Sequence, residues 1–67
     1  MVVKFAIIIF DHSIKQFRPY NHIGITAYPC IDFATAQRVV KEWGYTEVPI
    51  NSKIGRQILA KIGERKV

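Results

Sequence analysis

The chain has 67 residues, of which 49% are hydrophobic and 22% charged, and a formal net charge of +5 at neutral pH. This length and composition exclude a multidomain protein and a disordered tail, so we expect residues 1–67 to form one small α+β domain. Cys30 is the only cysteine, which excludes a disulfide within the chain, and the longest apolar run, Phe5 to Phe10, is far shorter than the roughly 20 residues of a membrane span.

The first predicted element is a strand from Val2 to Phe10. β-Branched and aromatic residues dominate it, and both of its faces are apolar at a period of two residues, interrupted only by Lys4. A strand that is apolar on both faces should lie centrally in a sheet, with both faces at least partly covered. Asp11, His12 and Ser13 are turn-forming residues that end it.

Residues 14–28 are predicted to be mainly extended. Ile14 to Asn21 contains Pro19, which favours an edge strand or an ordered loop because proline cannot donate to a sheet. His22 to Tyr28 alternates apolar residues with small or polar ones, a pattern typical of a half-buried strand, and Pro29 ends this segment.

An amphipathic helix is predicted from Phe33 to Trp43. Asp32 precedes it as a plausible N-cap, and Gly44 lies just past its end, where a C-terminal cap is expected. The apolar residues that share one arc of this helix, and that we expect to pack on the sheet, are Phe33, Ala36, Val39, Val40 and Trp43.

A short strand and a second helix complete the prediction. The strand runs from Tyr45 to Ile50, and the helix runs from a cap at Asn51 or Ser52 through Ile62, with Gly63 closing it. Its expected buried arc consists of Ile54, Ile58, Leu59 and Ile62.

The element order is therefore ββαβα, a small three-stranded, mainly antiparallel sheet with two helices. Two helices most simply pack on one face of such a sheet, which would leave one apolar face of the first strand uncovered. An exposed apolar patch marks an interaction surface, so we expect either self-association as a two-fold homodimer or a larger partner to cover Val2, Ala6, Ile8 and Phe10. Helices on opposite faces are the alternative, and they would need no partner.

Catalytic and metal-binding patterns are weak. Asp11, His12 and Ser13 are residue types of a nucleophilic triad, but such triads are assembled from distant positions, so a polar turn is favoured. The candidate metal ligands match no paired ligand spacing, and we expect neither a metal nor a cofactor; these candidates are His12, His22, Cys30 and Asp32.

Cys30 is more typical of a small buried packing residue than of a nucleophile, although a position just ahead of a helix could lower its pKa. The four glycines are scattered and form no phosphate-binding loop. These observations favour a protein that is not an enzyme, and a lone, reduced cysteine favours a cytoplasmic location.

Basic residues give the strongest functional signal. Five of the ten lysines and arginines lie between Lys53 and Lys66, where Glu64 is the only acid. The outer faces of the two helices would form one basic surface if the helices packed side by side. In addition, Lys15 to His22 interleaves cations with aromatic rings, which suits single-stranded nucleic acid, although packing of its rings in the core is the favoured interpretation. The predicted binding residues are Lys15, Arg18, Tyr20, His22, Arg38, Lys41, Lys53, Arg56 and Lys61.

The sequence therefore predicts a non-enzymatic, small basic binding protein that contacts nucleic acid or a nucleoprotein complex through a basic helical face. The alternative is a small protein-interaction module, an inhibitor or accessory subunit of the kind that phages and plasmids encode. Such a module would dock on a protein partner through an apolar sheet face, or meet an acidic protein surface. A minimal enzyme is the third hypothesis, and no membrane partner is expected.

Overall fold

The computed structural model describes residues 4–26 and 28–65, and Val2, one of the residues predicted for self-association, lies outside them. The elements, in chain order, are β1 (Phe5–Asp11), β2 (Gln16–Asn21), α1 (Phe33–Glu42), β3 (Thr46–Glu47) and α2 (Lys53–Arg65). The strand order is β2-β1-β3, with β1 antiparallel to β2 and parallel to β3. The predicted α+β class, the ββαβα order and the mainly antiparallel sheet are confirmed.

The two helices lie on opposite faces of the sheet, so the expectation that they share one face was wrong. Alternate residues of β1 enter different cores: Ala6 and Ile8 pack against α1, whereas Ile7 packs against α2. Because β1 is apolar on both sides, a helix on each side removes more apolar surface from water than two helices on one side. The face of β1 predicted for self-association is therefore mostly covered, and of its described residues only Phe10 stays partly exposed, at 37%.

Helix α1 has a defined cap at each end, as predicted. The Asp32 carboxylate accepts a hydrogen bond from the Thr35 backbone N–H at 2.7 Å. At the other end Gly44 adopts a positive φ of 79°, and the Tyr45 N–H donates to the carbonyl of Val40 at 3.1 Å. This six-to-one bond is the Schellman motif, which turns the chain back toward the sheet. Tyr45 consequently packs against the same core as Val40.

Helix α2 begins at a Ser52 cap, whose hydroxyl accepts a hydrogen bond from the Gly55 N–H at 3.0 Å. The predicted end at Gly63 was wrong, since the helix continues to Arg65. Gly63 does not adopt the positive φ that would let a glycine end a helix. Leu59, expected in the buried arc, lies at its margin and is 36% exposed.

The segment His22 to Tyr28 was predicted as a strand, but its described residues form a turn followed by an irregular stretch. The Asn21 side chain accepts a hydrogen bond from the Ile25 N–H at 2.9 Å, and the Asn21 N–H donates to the Ile25 carbonyl at 3.0 Å. Gly24, inside this turn, has a φ of 84°. The alternating pattern failed as a predictor because asparagine and glycine here favour a closed turn over extension.

The outer edge of β2 is partly covered by the stretch that follows this turn. Phe17 and Cys30 exchange two backbone hydrogen bonds, at 2.8 and 2.7 Å, and an isolated bridge joins Tyr20 to Thr26. The Phe17 N–H points away from β1, toward Cys30. Strand residues two positions apart point their N–H groups the same way, so a residue with an N–H at position 19 would also point it away from β1. Pro19 therefore removes no bond from the ladder to β1, and the predicted edge position is confirmed.

Candidate functional site

The five basic helical residues predicted as one surface are split between two sides of the molecule. Arg38 and Lys41 are exposed on α1, whereas Lys53, Arg56 and Lys61 are exposed on α2. Because the two helices cover opposite faces of the sheet, no single flat partner can touch all five of these residues. The expectation of one combined basic face was therefore wrong.

Carboxylates balance the cations on the α1 side. Asp32 caps the helix, Glu42 ends it, and Glu47 accepts a hydrogen bond from the Gln37 side chain at 3.1 Å. Two cations, Arg38 and Lys41, therefore stand beside three acidic side chains. This side of the molecule is consequently a poor surface for a polyanion.

The α2 side has an excess of positive charge instead. Among the described side chains, the lysines and arginines exposed on α2 and in the cleft beside it outnumber the acids by four to one: Lys4, Lys53, Arg56 and Lys61 against Glu64. The Lys61 Nζ lies 3.9 Å from a Glu64 carboxylate oxygen, and both side chains are more than half exposed. Such a pair is screened by solvent and neutralises the surface weakly. We call this surface the α2 side.

The aromatic and basic residues of the segment Lys15 to His22 do not form one binding platform. Strand alternation sends Phe17 into the α1 core and Tyr20 into the α2 core. The Phe17 ring lies 5.0 Å from that of Phe10 and 5.7 Å from that of Phe33. These rings serve packing, which was the competing interpretation of the segment.

Two cations of this segment are also placed apart from any basic cluster. Lys15 is exposed in the turn between β1 and β2, with a φ of 54°. Arg18 donates a hydrogen bond from Nε to the Asp11 carboxylate at 2.8 Å, and both side chains are partly buried. Arg18 is therefore already paired within the chain, which makes it a weaker candidate for contacting a partner.

Asp11, His12 and Ser13 form a polar turn and not a nucleophilic triad. Asp11 accepts hydrogen bonds from the Ser13 hydroxyl at 2.6 Å and from the Ser13 N–H at 3.0 Å. These bonds, with the bond from Arg18, lower the pKa of Asp11 to about 2. The His12 ring packs edge-on against Phe10, with centroids 4.8 Å apart, and so contacts a hydrophobic ring.

A cleft of about 300 Å³ opens between the start of β1, the turn after β2, and α2. Its apolar lining comes from Phe5, Ile54 and Ile58, which also belong to the α2 core. The polar side chains that line it are all exposed and come from three parts of the chain: Lys4, His22, Gln57 and Lys61. Two of the predicted binding residues, His22 and Lys61, are thus brought together here.

The turn that carries His22 is held against α2 by close packing at Gly24. A Cβ atom on Gly24 would lie only 3.1 Å from the Ile62 backbone nitrogen and 3.2 Å from the Lys61 carbonyl carbon. These distances are shorter than ordinary van der Waals contacts, so a residue without a side chain fits this position best. The packing places His22 and Lys61 beside the same cleft.

Tyr45 lies close to two of the polar residues that line the cleft. Its ring lies 5.5 Å from the His22 ring, and the Lys4 Nζ lies 5.8 Å from the centre of the same ring. A cation over an aromatic face is attracted by the electron density of the ring. One aromatic side chain therefore orients two of the polar residues that line the cleft.

Sequence reasoning missed two residues of this cleft, Lys4 and Gln57. The signal for Lys4 was present, because it is the single charge that interrupts an apolar strand. Gln57 is exposed on the second helix, but nothing in its spacing relates it to Lys4. Their proximity depends on which face of the sheet α2 covers.

The described residues do not favour a metal site or a reactive thiol. Across residues 4–26 and 28–65, no group of three or more His, Cys, Asp or Glu side chains is arranged to hold a metal ion. Cys30 is only 3% exposed, and burial raises the pKa of its thiol, with a smaller contribution from the charge of Asp32. A buried thiol with a raised pKa is a poor nucleophile.

A second, apolar groove lies on the α1 side, beside the end of β3. Its volume is about 410 Å³, and its lining residues are Ile8, Phe33, Glu47, Val48, Pro49, Ile50 and Asn51. Phe33 and Ile50 are 41% and 38% exposed. The groove is the surface that best fits the alternative of apolar docking on a protein.

No helix within the described residues is long and apolar enough to cross a membrane. A comparison of the chain with protein-family models found no match. Comparisons with curated proteins and with solved structures likewise found no match.

Proposed function

We propose that this chain is a small, non-enzymatic, cytoplasmic protein that binds nucleic acid, free or within a nucleoprotein complex, through its α2 side. The observation that carries the proposal is the separation of charge between the two sides of the molecule. Among exposed side chains, cations exceed acids four to one on α2 and in its cleft, whereas Asp32, Glu42 and the half-buried Glu47 offset two cations on the α1 side. A one-sided excess of positive charge attracts a polyanion and orients it toward that side.

The distribution of the cations along α2 supports a polymeric ligand. Lys53 and Arg56 lie on the first turns of the helix, and Lys61 lies near its other end. All three are exposed, and of these only Lys61 has an ion-pair partner among the described residues. A row of cations along one helix suits an extended chain of phosphates better than a single small anion.

The experiment compares two matched double variants in binding to a labelled oligonucleotide. Lys53→Gln with Arg56→Gln removes two cations from α2, and Arg38→Gln with Lys41→Gln removes two from α1. Both pairs are exposed on helices, so net charge changes equally and stability changes little. We expect the α2 pair to weaken binding and to reduce the salt dependence by about 0.7–0.9 in log–log slope for each lost contact.

The α1 double variant should bind nearly as tightly as the original chain. Equal losses in the two variants, or no binding by the original chain, would overturn the proposal. A binding partner whose affinity does not change with salt would favour the second candidate, a protein-interaction module that docks through the apolar groove at Phe33 and Ile50.

A further inference from the structure

We propose that the cleft holds one unpaired base of a single-stranded nucleic acid, with the flanking phosphates on Lys4 and Lys61. This inference rests on the proposed function and adds to it the class of nucleic acid and the place of one nucleotide. Nothing in the charge of the α2 side alone distinguishes a single strand from a duplex, because both carry phosphates. The apolar cleft favours a single strand, because only an unpaired base can enter it.

The size and lining of the cleft fit one flat ring system. Its volume of about 300 Å³ is at the lower end of the range of ligand pockets, about 300–1,000 Å³. The half-buried Phe5 and Ile54 provide an apolar surface against which a base can be removed from water. The exposed His22 ring, held against Tyr45, provides a further planar group beside it.

The arrangement of cations matches the repeat of a nucleotide chain. Lys4 borders the cleft at the start of β1 and Lys61 borders it on α2, so cations from two different elements lie beside the apolar lining. In a single strand each base lies between two phosphates along the backbone. Lys53 and Arg56 then continue the row of cations along α2 for the following phosphates.

Gln57 gives the cleft a group that can read the edge of a base. Its amide offers both a hydrogen-bond donor and an acceptor, and its side chain is exposed at the cleft. A duplex cannot use these contacts, because its bases are stacked and paired and must be extruded at a cost. The cleft therefore favours single strands.

An acidic peptide is the competing ligand, since carboxylates also pair with lysines. It matches the cleft less well, because an acidic side chain has no large apolar surface to place on Phe5 and Ile54. A nucleotide has a largely apolar base flanked by phosphates, so it can place the base on the apolar lining and the phosphates near the lysines. We therefore assign the cleft to a nucleotide.

The test uses four labelled probes of equal length: a single-stranded oligonucleotide, the same sequence as a duplex, an abasic strand that keeps every phosphate, and polyglutamate. The original chain should bind the single strand at least about fivefold more tightly than the abasic strand, the lower end of what one stacked base contributes. It should also prefer the single strand to the duplex, and it should bind polyglutamate more weakly.

Two variants locate the effect. His22→Ala with Gln57→Ala removes two of the groups assigned to the base and should lower the ratio between normal and abasic strands, and both residues are exposed, so folding should be kept. Lys53→Gln with Arg56→Gln should weaken binding to both strands and keep their ratio. Thermal unfolding of each variant checks that the fold is intact.

The outcomes separate the two proposals. If the original chain binds all oligonucleotides but treats normal and abasic strands alike, the base site is wrong and the proposed function stands. If the chain binds no oligonucleotide, both proposals are wrong. Tighter binding of polyglutamate than of the single strand would assign the cleft to an acidic protein segment and overturn the base site.

Discussion

Gly24 lies against helix α2 so closely that a Cβ atom on it would stand 3.1 Å from the backbone nitrogen of Ile62. Its φ of 84° is also one that residues with side chains rarely adopt. A left-handed conformation, which glycine adopts without strain, and a close backbone contact thus occur at one residue. They hold the turn that carries His22 beside α2, and with it one wall of the cleft.

We expect Gly24→Ala to lower the free energy of unfolding by more than the roughly 1–2 kcal/mol that a left-handed conformation costs an ordinary residue. The additional loss comes from the contact with α2, which is made of backbone atoms that cannot rotate away. Unfolding by urea measures the change.

Two other glycines provide the controls. Gly44→Ala has the strain of a positive φ, 79°, but its Cβ would meet nothing within 4 Å, so the strain alone is measured. Gly63→Ala has neither problem and lies inside a helix, where alanine should stabilise by roughly 0.5–1 kcal/mol. A Gly24→Ala loss no larger than that of Gly44→Ala would show that the contact with α2 is looser than described.

Adjacent residues of β1 should be equally sensitive to truncation. Ile7 is fully buried under α2, and Ile8 is 4% exposed under α1, so Ile7→Ala and Ile8→Ala should each cost about 2–5 kcal/mol. Ile31→Ala, at a side chain that is 78% exposed, should change stability little. If both helices shared one face, one of the two β1 variants would be nearly neutral.

The stability of the fold should decrease in acid in part through Asp11. Hydrogen bonds from Ser13 and Arg18 lower its pKa to about 2, below the ordinary value near 3.8. A carboxyl whose pKa is lower in the folded state stabilises the fold above its unfolded pKa. That stabilisation is lost as the pH falls through the folded value. The window is therefore roughly pH 4 to pH 2.

The measurement compares the original chain with Asp11→Asn by urea unfolding across this window. The difference in stability between them should be largest above pH 4 and should shrink as the pH approaches 2. Asp32→Asn is a useful second variant, because hydrogen bonds from Thr35 also lower the pKa of Asp32. A difference that stays constant with pH would show that Asp11 does not form these bonds in solution.

Self-association through β1 was predicted because one apolar face of the strand was expected to be uncovered, and this face is covered by α1. Ala6 and Ile8 are enclosed by α1, so a second copy cannot reach them unless that helix moves. We expect sedimentation at micromolar concentration to give a monomer. A dimer that Phe10→Lys dissociates would restore the interface, with Phe10 as the contact that remains partly exposed.

The local elements could be predicted because local chemistry determines them. Asp32 and Gly44 bracket α1 as their side-chain and backbone properties require, and the apolar character of β1 indicated a central strand. The side of the sheet that each helix covers could not be predicted, since the periodicity of a helix shows only that one face is buried. This wrong placement of the helices also affected the predicted site. It put Arg38 and Lys53 on one surface, and it gave no indication that Lys4 and Gln57 lie beside the same cleft.

The turn at Gly24 shows a second limit of sequence reasoning. Alternation from His22 to Tyr28 resembles a strand, and the hydrogen bonds of Asn21 that close the turn depend on a partner four residues away. The contact between the turn and α2 is a tertiary contact, and no residue pattern within the segment predicts it. A glycine with no evident role in a strand was the available signal.

Both hydrophobic cores depend on one strand, since α1 packs against Ala6 and Ile8 and α2 packs against Ile7. Neither helix can detach without exposing one face of β1 to water. The two halves of the molecule should therefore unfold in a single cooperative step, and the amide protons of β1 should exchange with deuterium only when the whole chain opens. Amides in the turn between β1 and β2 and in the stretch after Gly24 should exchange much sooner. A map of exchange rates would then show one protected strand at the centre of the molecule, with protection decreasing outward through both helices.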